Sequence, residues 1–141
     1  PDNLEIRGDY KPLFQKIKIE EIKKKLMYIR GVKSEIDLEY LSKIDIKIGV
    51  IKRAELKEGT KKILRLIVDI GDRELKILAG LADSYRPAEL IGKKVAIVTN
   101  IRKKKIIDEY SEGMLLAAVD SEGRISLLIP DSDIEVGAEV K

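Results

Sequence analysis

The side chains able to do chemistry in this 141-residue chain are of narrow type. His and Cys are both absent, which removes imidazole bases, thiolate nucleophiles, Cys/His zinc sites and disulfides together. Catalysis would have to rest on carboxylates, Lys or Ser. Two close carboxylate pairs, Asp69/Asp72 and Asp131/Asp133, could hold magnesium for a nuclease, but both sit beside turns, where Asp commonly bonds the local backbone. The denser feature is cationic. Residues 90–107 contain Lys93, Lys94, Arg102, Lys103, Lys104 and Lys105 and no acid, a basic patch suited to holding a partner rather than to making bonds. The expectation is a binding protein with no catalytic residue, no metal and no cofactor.

Total charge conceals that patch. Lys and Arg number 28 against 25 Asp and Glu, a net of +3. Residues 1–10 sum to −2, residues 11–33 to +6 and residues 34–141 to −1. Hydrophobic residues make up 44%, enough for a core, and no apolar run approaches the roughly 18 residues of a membrane span. The start, Pro1-Asp2-Asn3, lacks the basic and apolar regions of a signal peptide, so a soluble, cytoplasmic protein is expected. A bias to 22 Ile and 20 Lys, with two Asn and one Gln, fits either a thermophile or an AT-rich genome.

Hydrophobic periodicity supplies the elements that must position these residues. Ile19, Ile22, Leu26 and Ile29 recur at helical spacing, predicting a helix over about 17–30 that either packs on its own domain or docks elsewhere. Ahead of it lies the apolar cluster Leu13, Phe14 and Ile17, after Pro12. A short helical turn is expected over 39–43. From Ile44 the period becomes two: strands are predicted over 44–50 and 64–70, and Gly71-Asp72 turns into a third through Leu75, Ile77 and Ala79. Pro87 and Gly92 bracket a short helix, 87–91. A fourth strand covers 95–99, a polar basic loop 100–112, a fifth strand starts near Gly113, and a further strand, 125–129, stops at Pro130. Three strands, a helix and two strands is the order of the OB-fold. The predicted fold class is therefore mainly β: a five-stranded OB-fold barrel with an extra C-terminal strand and an N-terminal helical extension. The extension covers 1–34 and the barrel domain 35–141.

The stretch Gly80-Leu81-Ala82-Asp83-Ser84-Tyr85-Arg86-Pro87-Ala88-Glu89-Leu90-Ile91-Gly92-Lys93-Lys94-Val95 resembles the middle of the tRNA-binding OB domain found at the C-terminus of many methionyl-tRNA synthetases. Asn100-Ile101-Arg102-Lys103-Lys104-Lys105, followed by Ser111-Glu112-Gly113-Met114-Leu115-Leu116-Ala117-Ala118, is similar to that family's N-L-K-P-x-K … S-x-G-M-L-L-A-A signature. Asp45-Ile46-Lys47-Ile48-Gly49 and Gly59-Thr60-Lys61-Lys62-Ile63-Leu64-Arg65-Leu66 resemble its D-L-R-V-G and G-S-x-K-L-L-x-L segments. Two positions depart from the pattern: Lys103 stands where Pro is usual and Asp108 where Gly is usual. Upstream, Lys11-Pro12-Leu13-Phe14-Gln15-Lys16-Ile17 with Glu20-Glu21-Ile22 is similar to the segment that closes the synthetases' helical anticodon-binding region.

The resemblance implies a non-catalytic tRNA-binding subunit or C-terminal domain of methionyl-tRNA synthetase, which grips folded tRNA by shape and phosphate charge. In that reading Arg102, Lys103 and Lys105 follow phosphates, and Lys62 and Arg65 extend the footprint. Asn100 and Ser111 hydrogen-bond a base edge or 2′-hydroxyl, and Met114 offers a soft apolar surface to a nucleoside. The plainer alternatives are solvated lysines, an Asn100 that shapes a turn and a Met114 in the core. Tyr110 could stack one base, and Tyr85 fits under the short helix; two aromatics after Tyr40 are too few for indiscriminate single-strand binding. A homodimer is implied, with the apolar strand 125–129 needing cover. The H-I-G-H active-site signature is excluded by composition, so catalysis would reside elsewhere, and where it resides in a separate chain, Leu13, Phe14 and Ile17 would dock on that catalytic synthetase subunit. The alternatives are a free-standing dimeric tRNA-binding protein and an OB-fold chaperone, whose family lacks a strand like Gly113-Met114-Leu115-Leu116-Ala117-Ala118.

Overall fold

Apolar–polar alternation from Ile46 onward is realised as a coiled antiparallel sheet in the computed structural model, which describes residues 33–141. The helix expected over 17–30 and the cluster Leu13, Phe14 and Ile17 lie outside the described residues. The chain divides into two compact units, Pro1–Leu38 and Glu39–Lys141, and the barrel belongs to the second. The short helix α1 covers Leu38–Ser42.

Strand β1 (Ile46–Leu56) runs past the predicted stop at 50. Its first half pairs with β4 (Lys94–Val98) and its second half with β2 (Leu64–Asp69). The sequence pattern ends early because register shifts between Ile51 and Arg53, and a bulge of this kind breaks the two-residue period while increasing twist. At the handover Gly49 is required: a Cβ there would lie 2.6 Å from Val68 Cγ1. Strand β3 (Glu74–Ala79) pairs with β2 through the predicted turn, where the Gly71 N–H donates to Asp69 Oδ1 at 2.9 Å.

Helix α2 (Pro87–Leu90) starts at Pro as predicted and buries Leu90. Gly92, at φ +87°, ends the turn and donates its N–H to the Ile51 carbonyl at 2.7 Å. Strand β4 is buried at Val95, Ala96 and Ile97 in succession, as expected of a strand apolar on both faces. Val95 and Ile97 join Ile51, Leu64, Leu66, Val68 and Ile77 in the core.

The predicted basic loop contains a small hairpin, β5 (Lys104–Ile106) and β6 (Glu109–Ser111). Strand β7 (Met114–Leu115) then pairs with β4, giving the sheet order β3-β2-β1-β4-β7. The barrel closes between β3 and residues 111–112. There the Glu112 N–H donates to the Lys76 carbonyl at 2.8 Å, the Lys76 N–H to Glu112 Oε1 at 2.7 Å and the Leu78 N–H to Ser111 Oγ at 3.0 Å. Five strands with a helix between the third and fourth form the OB-fold barrel.

Strands β8 (Ala117–Val119) and β9 (Ile125–Leu127) make a further hairpin. The expected extra strand is therefore present, ending at Leu127. It is tied to the barrel where the Leu127 N–H donates to the Tyr85 hydroxyl at 3.0 Å, so Tyr85 is a structural strut. Near the C-terminus, Glu139 bridges to Lys47 of β1, an addition that the sequence pattern did not reveal.

Gly113 sits at the narrowest point of the closure, where a Cβ would lie 2.8 Å from the Val98 carbonyl oxygen. Backbone cannot retreat as a flexible side chain can. Gly113→Ala is expected to lower stability by about 2 kcal/mol, read as a fall in the urea midpoint.

Candidate nucleic-acid interface

The turn of the β5–β6 hairpin is two residues, Ile107 and Asp108, and Ile107 has φ +62°. A β-branched residue is costly in the left-handed region, so the surroundings must hold it there. The two residues that follow it are fixed by charge. Lys57, whose side chain is 1% exposed, donates from Nζ to Asp108 Oδ1 at 2.6 Å and to Glu109 Oε2 at 2.9 Å. Glu109 also accepts from Arg65, with Nε to Oε1 at 2.9 Å and a second bond to Oε2, and lies 3.3 Å from Lys76 Nζ. Cations from the end of β1, from β2 and from β3 thus converge on one carboxylate of the hairpin. Hydrogen bonds from Arg65, then Lys57 and Lys76, hold the Glu109 carboxyl far below the ordinary glutamate range. Asp108 is lowered by Lys57, and Lys57 is raised chiefly by Asp108.

This network sorts the segment's charges by direction. Asp108 and Glu109 engage the barrel, while Arg102, Lys103, Lys104 and Lys105 are exposed. Among the described residues no carboxylate lies within 4.0 Å of Arg102, Lys104 or Lys105, and Lys103 reaches only Glu112, at 3.9 Å. Lys94, counted in the basic patch from sequence, is instead paired with Asp133 at 2.8 Å. Asp69 bonds its own turn and Asp72 pairs with Arg73. Three of the four carboxylates considered for magnesium therefore have partners already, Asp69 and Asp72 within their own turn and Asp133 in Lys94.

The candidate residues fall into distinct places. Arg102, Ser111 and Met114 line an open cleft of about 240 Å³ between β3 and the 101–106 segment. Met114 is 51% exposed rather than core. Ser111 is buried; its Oγ accepts from Leu78 and donates to the Gly113 carbonyl at 3.1 Å, so its single donor serves the fold. Arg65 is likewise spent on Glu109, Glu55 and Glu58. Asn100 accepts from the Asp45 N–H at 2.9 Å and donates to the Lys43 carbonyl at 2.8 Å. One donor and one acceptor of its amide remain. Lys105 stands opposite Tyr110 on the other hairpin face, and Tyr110 is 51% exposed. Lys62 is exposed in the β1–β2 loop.

Sequence reasoning missed Lys57 and Glu109, and it missed Ile101, Lys104 and Ile106 as cleft-lining residues. Only recognition of a strand period within the basic loop, placing Lys104 and Ile106 on one face, would have found the last two.

A family model for tRNA binding domains matches residues 46–139. The chain belongs to the tRNA binding domain family. The match spans β1 to the C-terminal bridge and includes the pinned hairpin. The methionine–tRNA ligase of Methanocaldococcus jannaschii is 43% identical over 153 aligned residues, covering 99% of this chain and 24% of that protein. The chain spans about a quarter of the length of such curated relatives. Among solved structures, a MetRS related protein from Pyrococcus horikoshii is 38% identical, with a TM-score of 0.73 over 77% of this chain and 99% of that one. The chaperone CsaA from Bacillus anthracis is 27% identical, with a TM-score of 0.72 over 77% of this chain and 100% of that one.

A carboxylate with a depressed pKa stabilises the fold fully above its unfolded value, about 4.5 here, and that contribution is lost as pH falls below it. Glu109→Gln is expected to lower the thermal midpoint at pH 7 by several degrees. It should also flatten the loss of stability between pH 5 and 2, as measured by circular dichroism melts across that range.

Proposed function

We propose that this chain is a non-catalytic tRNA-binding module of the methionyl-tRNA synthetase type, a subunit or C-terminal domain that assists aminoacylation carried out elsewhere. The observation that carries this reading is the set of four exposed cations, Arg102, Lys103, Lys104 and Lys105, on and just ahead of a hairpin whose own acids are turned to the barrel. Charge presented on a fixed frame follows phosphates without reading bases, as recognition of a folded RNA by shape requires. Lys62 extends the footprint, and Asn100 and Met114 supply the polar and apolar contacts. Arg65 and Ser111 contribute by holding the frame.

A cytoplasmic homodimer is part of the proposal. Val119, Leu128, Ile129 and Ile134 are exposed and supply an apolar surface that a second copy would cover. Light scattering should report twice 15.9 kDa. Leu13, Phe14 and Ile17 are proposed to dock on a catalytic synthetase chain, so Leu13→Ala with Phe14→Ala should abolish co-purification with that chain while tRNA binding persists. The similarity to chaperone CsaA supports a second reading, in which an unfolded peptide rather than tRNA is retained.

Replacing Arg102, Lys103 and Lys105 together by Ala should weaken all tRNAs alike. It should also reduce the slope of log K against log salt by about 2 to 3. Filter binding at four salt concentrations measures both, and unchanged affinity would remove the hairpin from the interface.

A further inference from the structure

The cleft beside the hairpin has a composition that phosphate binding alone does not need. Its walls are aliphatic: Ile77 and Ala79 from β3 face Ile101 and Ile106, with Met114 at the rim. Arg102 and Lys104 line the same cleft and, among the described residues, have no carboxylate within 4.0 Å. Ile101 and Met114 are exposed at 46% and 51%, so apolar surface and uncompensated positive charge meet at one opening. The cleft exists because β3 reaches residues 111–112 partly through side chains: Glu112 Oε1 and Ser111 Oγ take the Lys76 and Leu78 amides, where a paired strand would have presented carbonyls.

We propose that this cleft receives one unpaired nucleobase of the bound RNA, sandwiched between Ile101 and Met114, while Arg102 and Lys104 hold the phosphates on either side of it. The inference rests on the tRNA reading above and deepens it. Its size supports a single ring system: about 240 Å³ lies below the roughly 300–1,000 Å³ of sites that enclose whole drug-sized ligands. Charge selects the occupant. An apolar peptide side chain would fill the walls yet leave both cations without a counterion, whereas a nucleotide brings its own phosphates to them. No base edge is read by a buried donor, since the Ser111 hydroxyl is already bonded, so the subsite accepts any base that the RNA fold leaves unstacked. The tRNA grip thereby gains a contact that depends on RNA shape and is insensitive to salt.

The test uses the full chain and unmodified tRNA in filter binding over a range of salt. Met114→Ala with Ile101→Ala, both at exposed positions, should lower affinity about tenfold at every salt concentration and leave the slope of log K against log salt unchanged. Arg102→Ala with Lys104→Ala should instead reduce that slope by about 2. Ala79→Leu, which fills the cleft from a different strand, should reproduce the Met114/Ile101 loss. Wild-type affinity in both the truncation and the filling variant would overturn the base subsite while leaving tRNA binding in place. Failure of the wild-type chain to retain tRNA at low salt would overturn the underlying reading as well. Capture of an apolar peptide that tRNA cannot displace would assign the cleft to the peptide.

Discussion

One carboxylate, Glu109, decides where the basic segment stands. Four cations within residues 100–112 repel one another, and a free loop of that composition would spread into solvent. The same segment carries Asp108 and Glu109, and the barrel offers Lys57, Arg65 and Lys76 to meet them. Each cation comes from a different part of the β1–β3 meander, so pairing fixes the hairpin relative to three points of the sheet. Lys57 is the most demanding member, because a charged side chain that is 1% exposed is tolerated only while its partners stay in place. The positive φ at Ile107 is compatible with the same constraint: the turn is held by the Lys57 contact at Asp108.

Closure of the barrel follows from the neighbouring residues. Ser111 and Glu112 use side chains to satisfy the amides of Leu78 and Lys76. That keeps the exposed edge of β3 from carrying unpaired donors while leaving room between β3 and the 101–106 segment. Gly113, pressed against the Val98 carbonyl, allows the chain to return to β4 directly afterward. Hairpin, cleft and closure thus share a dozen consecutive residues packed against β3, and changes to any of these would be felt by the others.

The barrel was readable because burial enforces period. Ile46, Ile48, Leu64, Leu66 and Val68 alternate, and β2, β3 and α2 fall within a residue or so of their expected bounds. What failed to show was set by tertiary partners. The bulge after Ile51 erased alternation, so the second half of β1 went unseen. Three-residue strands offer too little pattern to distinguish the β5–β6 hairpin from a polar loop. Lys57 follows Leu56 without any local sign of burial, and its burial depends on carboxylates about fifty residues away. For the candidate site, residue type was legible and commitment was not. Arg65 and Arg102 look equivalent in sequence, yet one is occupied by three carboxylates and the other by none among the described residues.

That difference turns a nearly neutral chain into a directional one. Net charge is only +3, and long-range attraction from such a total is weak at physiological salt, where fields fade within about 8 Å. Pairing removes Lys57, Arg65, Lys76 and Lys94 from the account, and what remains uncompensated near the cleft is a short run on one rigid edge. On the tRNA reading, a polyanion meets the densest positive charge when that edge faces it, which favours one orientation before contact. The aliphatic cleft beside the run then adds attraction that salt does not screen, at a spot the phosphates alone could not define. On that reading charge brings the RNA to this edge, and shape determines whether it stays.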